Sequence, residues 1–200
     1  MKQSNRELEG SYLPTVTKTE SKGFKEEIEL PEKTSCSIEG KLVRIKGENG
    51  QVERKFPDPI ARITLEEGKI VLTTEKHSKK EKKMLGSIKS HIKNMIKGVN
   101  SGHAYILKIC SGHFPMNVSA TGKEFIVKNF LGERVPRKME IKGEIKIKVA
   151  GNDIYVEGIN KEQVSQCAAS IEQLTRRANF DRRIFQDGIY LISKDGKNVR

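Results

Sequence analysis

The sequence predicts an α+β fold made by tandem duplication of two small domains, each an antiparallel β-sheet packed with one α-helix. Short segments in which apolar and polar residues alternate recur along most of the chain, and this period is typical of strands with one buried face. Two longer segments have apolar residues three and four positions apart, which is typical of an amphipathic helix. The same order, several strands and then one helix, occurs twice and indicates duplication.

The order of these elements divides the 200-residue chain into four parts. Residues 1–25 lack periodicity and are rich in Ser, Thr, Lys and Glu, so we expect an extended or disordered tail. Residues 26–100 are predicted to form the first sheet-plus-helix domain, and residues 101–185 the second. Residues 186–200 are predicted to add a C-terminal strand and a basic tail.

In the first domain, KLVRIKG and ARITLEE alternate with period two and predict strands, with PDP at 57–59 interrupting the chain between them. EEGK at 66–69 predicts a hairpin turn before the strand IVLTT. A helix over residues 84–99 is expected to follow, with Gly98 as its stop signal. Its predicted apolar face consists of Leu85, Ile88, Ile92, Met95, Ile96 and Val99.

The second domain repeats this order. Four strands are predicted in GHAYILKI, MNVSA, KEFIVKN and ERVPRKMEI, with a turn near Gly132, and two more in GEIKIKVAG and IYVEG. A helix is predicted to begin at Asn160, with Gln163 as a capping-box partner. Its apolar face is expected to contain Val164, Cys167, Ala168, Ile171 and Leu174. The segment GIYLIS predicts the last strand.

Residue identities at a fixed offset support the duplication. An offset of 82 positions aligns four identical pairs: Gly40/Gly122, Lys41/Lys123, Lys46/Lys128 and Gly50/Gly132. It also aligns three similar pairs: Val43/Phe125, Ile45/Val127 and Lys55/Arg137. A further shift of two residues brings Ile70 onto Ile154. The hairpins IKGENGQVERKF and VKNFLGERVPRK are therefore interpreted as two copies of one ancestral hairpin, each with a basic arm.

The charge of the chain favours a polyanionic partner, because the net charge is +12 and the isoelectric point is about 9.6. Between residues 76 and 97 there are eight lysines and one acidic residue. Like charges four positions apart destabilise a helix, so a nearly pure lysine face favours a polyanion. The alternative is an ordinary solvated helix face. The candidate nucleic-acid contacts are Lys79, Lys80, Lys82, Lys83, Lys89, Lys93 and Lys97.

A second basic run lies near the C-terminus and contains Arg176, Arg177, Arg182, Arg183, Lys194 and Lys197. Arginine binds phosphate through two parallel hydrogen bonds, which lysine cannot do. Arginines that complement a helix dipole are the alternative, and this would explain only the first two. Aromatic residues make up 6% of the chain, and no strand carries paired aromatics for base stacking. If the polyanion is nucleic acid, we therefore expect phosphate, 2′-hydroxyl and shape recognition of folded duplex RNA.

The sequence contains no pattern typical of an enzyme. No Ser/His/Asp grouping, P-loop or GxGxxG motif stands out, so we predict no catalytic residues, no cofactor and no small-molecule substrate. Cys110, His113 and His103 lack an evident fourth ligand for structural zinc, so no metal site is predicted. The three widely spaced cysteines indicate reduced thiols. No apolar run of about 20 residues or signal peptide is present, so we predict a cytoplasmic protein. A peripheral membrane protein is a further alternative, but the apolar face of the helix at 84–99 is better used to cover a sheet, so no membrane partner is predicted.

Four long motifs carry a family resemblance. The stretches SHIKNMIKGVNSGHAYILKI, SGHFPMNV, VKNFLGERVPRK and DRRIFQDGIYLISKDG closely resemble a universal protein family of the large ribosomal subunit. The family is numbered six in bacteria and archaea and nine in the eukaryotic cytosolic subunit, and these motifs are similar to its archaeal and eukaryotic branch. The resemblance implies two homologous sheet-plus-helix domains and a structural role in cytoplasmic translation.

The resemblance also implies partners and contacts. It implies binding to large-subunit rRNA near the sarcin–ricin loop and the factor-binding region, beside neighbouring ribosomal proteins and with translation factors nearby. Most RNA contacts would come from the second domain and the C-terminal segment. The resemblance would place six residues at the RNA: Arg176, Arg177, Arg182, Arg183, Tyr190 and Lys194. Further candidate contacts lie in the basic half, within the motif VKNFLGERVPRK: Arg134, Arg137 and Lys138. An alternative function is a free regulator that binds duplex or hairpin RNA on the same scaffold, and ribosome association distinguishes the two.

Overall fold

The computed structural model describes residues 23–56, 61–66, 68–181 and 183–199. The predicted tail up to residue 22, the PDP at 57–59 and Arg182 lie outside these ranges. The described chain is an α+β fold of antiparallel sheets with one long helix in each half, and the predicted fold class is confirmed.

The first half contains six strands and one helix: β1 (Lys25–Glu29), β2 (Ser35–Glu39), β3 (Leu42–Gly47), β4 (Gly50–Lys55), β5 (Ala61–Glu66), β6 (Lys69–Thr74) and α1 (Lys79–Ser101). The strands divide into two three-stranded sheets, ordered β1-β6-β5 and β2-β3-β4, where the sequence predicted one sheet. Helix α1 packs against both sheets. Its six predicted apolar residues are buried against strand residues such as Val43, Ile45 and Ile70.

The second half repeats this plan with β7 (His103–Cys110), β8 (Asn117–Thr121), β9 (Glu124–Lys128), a 3-10 turn (Phe130–Gly132), β10 (Arg137–Glu140), β11 (Ile145–Ala150), β12 (Asp153–Gly158), α2 (Lys161–Leu174), β13 (Gly188–Lys194) and β14 (Lys197–Asn198). One sheet is ordered β10-β9-β8 and the other β11-β12-β7-β13-β14. Strand β13 pairs with β7, so the predicted C-terminal strand is an inner strand of this larger sheet.

Strand register shows how far the two halves correspond. The hairpin β2–β3 maps onto β8–β9 at an offset of 82, and β5–β6 maps onto β11–β12 at an offset of 84. The turn that follows β3 is shorter than the turn that follows β9. Ile45 faces Val52 on its partner strand, whereas its counterpart Val127 faces Arg137. The two facing residues, Val52 and Arg137, are therefore 85 positions apart, not 82. The sequence pairing of Lys55 with Arg137 was therefore wrong, because three additional residues lengthen the second turn.

Both ends of α1 differ from the prediction. The helix begins five residues before residue 84, because Ser78 and Glu81 form a capping box with hydrogen bonds of 3.3 and 3.1 Å. It continues past Gly98 and ends at Ser101, where Gly102 has a positive φ of 73°. Gly98 is buried inside the helix, at a close approach to the backbone carbonyl of Ile159. Its lack of a side chain serves packing against the second half, so it is not a stop signal.

Helix α2 begins where the sequence predicted. Asn160 is the N-cap, but its side chain accepts a hydrogen bond of 3.0 Å from the N–H of Glu162. The start of α2 lies against the first half, because Glu162 forms an ion pair with Arg54 of β4 and Lys161 donates to Asn94 of α1 over 3.1 Å. These contacts join the two halves at the start of α2.

Candidate nucleic-acid interface

The first basic group lies at the N-terminal end of α1. Lys79, Lys80, Lys82 and Lys83 are all exposed on its first two turns. The positive end of a helix dipole disfavours cations, and the only acidic residue of this turn, Glu81, is buried in the capping box. The cluster therefore lowers helix stability by itself, and an external polyanion would offset this cost.

The lysine stripe on α1 has acidic partners that the sequence did not reveal. Lys89 is half-buried and forms an ion pair with Glu26 of β1. Lys97 forms an ion pair of 3.1 Å with Asp195, and Lys93 is exposed. Since two of the three charges are compensated within the chain, the stripe supports a polyanionic partner less strongly than its spacing indicated. Its role in RNA binding stays a prediction.

Asp195 ties the turn between β13 and β14 to both halves. Its carboxylate lies 2.7 Å from His103 Nδ1, 3.1 Å from Lys97 Nζ and 3.1 Å from the N–H of Ala104. Burial alone would raise the pKa of Asp195, but the hydrogen bonds from His103 and Lys97 outweigh it and lower the pKa. The turn directs Lys194 and Lys197 to directly opposed positions, where both are exposed. Opposed like charges repel, so this pair also suits an anionic partner.

The largest basic loop of the second half connects α2 to β13, and buried polar side chains hold both of its ends. At the first end, Thr175 donates to the carbonyl of Glu172 and accepts from the N–H of Ile189 over 2.9 Å. At the other end, Asp187 accepts hydrogen bonds from the N–H groups of Gly112 and His113 and from His113 Nδ1. Burial would raise the pKa of Asp187, but these hydrogen bonds outweigh it and lower the pKa.

Aromatic rings organise the same loop. Arg177 lies over Phe180 at 4.2 Å, Phe180 meets Phe185 edge-on at 5.0 Å, and Phe185 stacks with His113 at 5.1 Å. The search for paired aromatics on strands missed this group, because two of its rings come from the loop and the third from another segment. The alternation of aromatic and basic residues in NFDRRIFQDGIY was the available signal.

Arg137 has an internal role in the turn after β9. Its guanidinium makes a bidentate pair with Glu133 at 2.7 and 2.8 Å and donates to the carbonyl of Leu174 over 2.7 Å. It also lies 4.4 Å over the ring of Phe130. The pair lowers the pKa of Glu133 chiefly through the hydrogen bond. Arg137 thus holds the turn to the end of α2, whereas Arg134 and Lys138 are exposed.

We expect Arg137→Gln to lower the free energy of unfolding by about 2 kcal/mol, because it removes charge-assisted bonds at a half-buried position. Lys138→Gln removes the same charge from an exposed neighbour and is expected to change stability by less than about 0.5 kcal/mol. Urea unfolding of the two variants measures the difference. Equal effects would show that Arg137 does not hold the turn.

The structure separates the remaining predicted contacts into two regions. Arg176, Arg177 and Tyr190 line one cleft at the end of α2, and Arg183 is exposed on the adjacent loop. The lysines at the start of α1 belong to the other region, since a 23-residue helix is about 35 Å long and its far end contacts the second half. The candidate interface therefore consists of two separate regions of the surface.

The described part of the chain holds no grouping of three His, Cys, Asp or Glu side chains arranged as metal ligands. His113 instead hydrogen-bonds Asp187, and His103 lies between Asp195 and the carbonyl of Asn94. The three cysteines are free thiols. Neither helix among the described residues has the length and apolar character needed to cross a membrane.

Comparison with known families places two segments of the chain in one family. Residues 30–102 and 114–188 match the sequence model of a family described as Ribosomal protein L6. The two matched segments correspond to the two structural halves, although the second match leaves out β7 and nearly all of β13, so the comparison agrees with a duplicated domain.

Curated relatives with the same family description cover nearly the full folded region. The chain is 48% identical over 167 residues to large ribosomal subunit protein uL6 of Methanosarcina mazei, covering 84% of this chain and 95% of the relative. It is 46% identical over 172 residues to the uL6 protein of Methanobrevibacter smithii, covering 86% and 97%. It is 43% identical over 169 residues to that of Methanocella arvoryzae, covering 84% and 96%. All three organisms are archaea, as the resemblance implied.

Proposed function

The chain belongs to the ribosomal protein L6 family, and from this premise we propose that it binds large-subunit rRNA near the sarcin–ricin loop and the factor-binding region. It is a structural component of the large ribosomal subunit in the cytoplasm and not an enzyme. Its partners are rRNA and neighbouring ribosomal proteins, and translation factors act close by.

The loop between α2 and β13 supports this proposal most directly. Arg176, Arg177 and Arg183 are exposed on one short segment whose two ends are fixed by Thr175 and Asp187. A fixed loop loses little conformational entropy when it binds, so its arginines are presented to phosphates in advance. The opposed pair Lys194 and Lys197 and the lysines at the start of α1 supply further phosphate contacts in separate regions.

We expect the double substitution Arg176→Gln, Arg177→Gln to weaken binding of the full chain to large-subunit rRNA by at least about tenfold. The plot of log affinity against log salt has a negative slope, and each lost phosphate contact makes that slope shallower by roughly 0.7 to 0.9. Filter binding over a salt series measures both quantities. Both arginines are exposed, so thermal unfolding is expected to change little.

A control of equal charge is Arg44→Gln with Arg62→Gln, which removes two arginines from the first half. Its affinity and salt slope should stay near those of the original chain. If the control weakens binding as much as the loop variant, net charge rather than this loop governs association. Cosedimentation with large subunits tests the role itself, because a free RNA-binding regulator would remain in the supernatant.

A further inference from the structure

A cleft of about 370 Å³ lies in the second half, between the end of α2, the turn after β9 and the start of β13. Its inner wall is apolar, formed by the buried side chains of Phe130 and Ile189. The rings of Phe180 and Tyr190 line its outer part and remain 39% and 38% exposed. Arg176 and Arg177 lie on the same wall. The cleft thus combines exposed ring surface with positive charge.

This combination is unusual for an exposed surface. Phe180 and Tyr190 line the same cleft and stay partly exposed, and exposed apolar surface of this kind marks binding sites. A nucleobase is flat, and the ribose to which it is attached carries a phosphate on each side within an RNA chain. A nucleotide therefore fits a site that offers both aromatic rings and arginines. An acidic peptide would use the arginines but would leave the rings without a matching flat group.

We propose that this cleft takes one unstacked nucleobase of the rRNA, with Arg176 and Arg177 on the adjoining phosphates. The proposal rests on the proposed function and adds a mode of recognition to it. A paired base stays inside the A-form duplex, and side chains cannot reach it through the deep, narrow major groove, so the occupant is a base from a bulge, loop or unpaired end. The proposal adds an unpaired base to the expected recognition of duplex RNA, and the sequence alone did not indicate it because the rings meet only in the folded chain.

Two acidic residues line the cleft: Asp187, and Glu172 on α2, which is partly exposed. Asp187 is 6% exposed, and its two carboxylate oxygens are engaged by Gly112 and His113. Its charge therefore fixes the loop. Among the other charged residues of the cleft, the two exposed arginines, Arg176 and Arg177, outnumber the partly exposed Glu172.

Chemical probing of large-subunit rRNA bound to the full chain tests the proposal. Hydroxyl radicals report contacts to the RNA backbone, and dimethyl sulfate reports access to unpaired adenines and cytosines. We expect one unpaired nucleotide to lose dimethyl sulfate reactivity when the original chain binds. With Phe180→Leu, which keeps an apolar side chain but removes the ring, this protection should disappear and affinity should fall by about tenfold. The backbone footprint should remain.

Phe114→Leu is the matched control, because Phe114 is 49% exposed, lies beside Gly132 and is not part of the cleft wall. It should leave both signals unchanged. If Phe180→Leu lowers the melting temperature, Tyr190→Leu provides an independent removal of a ring from the cleft.

The outcomes separate the two proposals. The base site would be overturned if the RNA backbone is protected but no base is, and if neither ring substitution changes this footprint. That result would still support the proposed binding to rRNA. No footprint of either kind would overturn the proposed function. Saturable binding of adenosine monophosphate alone, as tight as binding of the rRNA, would assign the cleft to a free nucleotide and overturn the proposal.

Discussion

Gly98→Ala is expected to lower the free energy of unfolding by about 3 kcal/mol, although alanine is the better helix former. A Cβ atom at this position would lie 2.1 Å from the carbonyl oxygen of Ile159, and that oxygen belongs to backbone that cannot rotate away. The substitution must therefore push α1 away from the segment before α2. Urea unfolding of the full chain measures the loss.

Gly86→Ala provides the control within the same helix. Gly86 is exposed, and a Cβ atom there would meet nothing within 4 Å. Because alanine reduces the entropy lost on folding, this variant is expected to gain about 0.5 to 1 kcal/mol. Opposite signs for the two substitutions would confirm that Gly98 acts through contact between the halves. A gain at both positions would contradict the close approach.

The substitution Asp187→Ala is also expected to lower the free energy of unfolding strongly. It removes a nearly buried carboxylate that accepts from Gly112 and His113, and it leaves those donors without their partner. We expect a loss of about 3 kcal/mol in the free energy of unfolding at neutral pH, together with weaker rRNA binding because the loop loses one anchor. Asp181→Ala, in the exposed part of the same loop, should cost less than about 1 kcal/mol.

The pH dependence of this loss has a definite sign. The pKa of Asp187 lies below its ordinary value of 3.8, so the folded state favours the charged carboxylate. Its contribution is fully present above pH 3.8 and is lost as the pH falls further, through the lowered pKa. The difference between the original chain and Asp187→Ala should therefore narrow in acid. Urea unfolding at several pH values below 3.8 measures this, and a constant difference would exclude the role of the charge.

Local pattern was sufficient for most of the elements but not for their ends, and it gave no strand at β1 or β14. The predicted apolar face of α1 is buried in full, since the spacing that makes a helix amphipathic also determines which side faces the sheets. The predicted end of α1 was wrong, because a glycine such as Gly98 can be interpreted from the sequence in two opposite ways. It can stop a helix or allow a close contact, and only the position of Ile159 distinguishes them.

The candidate site shows the same division. The basic segments were found from the sequence, because charge depends on composition alone. The sequence did not show which of these charges form ion pairs within the chain, because the partners lie far away along it. Lys89 pairs with Glu26, and Lys97 pairs with Asp195. Arg137 was chosen as an RNA contact from its neighbours in sequence, yet it braces the end of α2 through Leu174.

The sequence by itself determined the fold class, the duplication, the two helices and the excess of positive charge, because each depends on periodicity or composition within a short stretch. The tertiary structure alone decided which cations remain exposed and which aromatic rings meet. Ion pairs and ring contacts act over a few ångströms, whereas the groups that form them here can be nearly a hundred residues apart, as Lys97 and Asp195 are. Only the folded chain brings such groups within range.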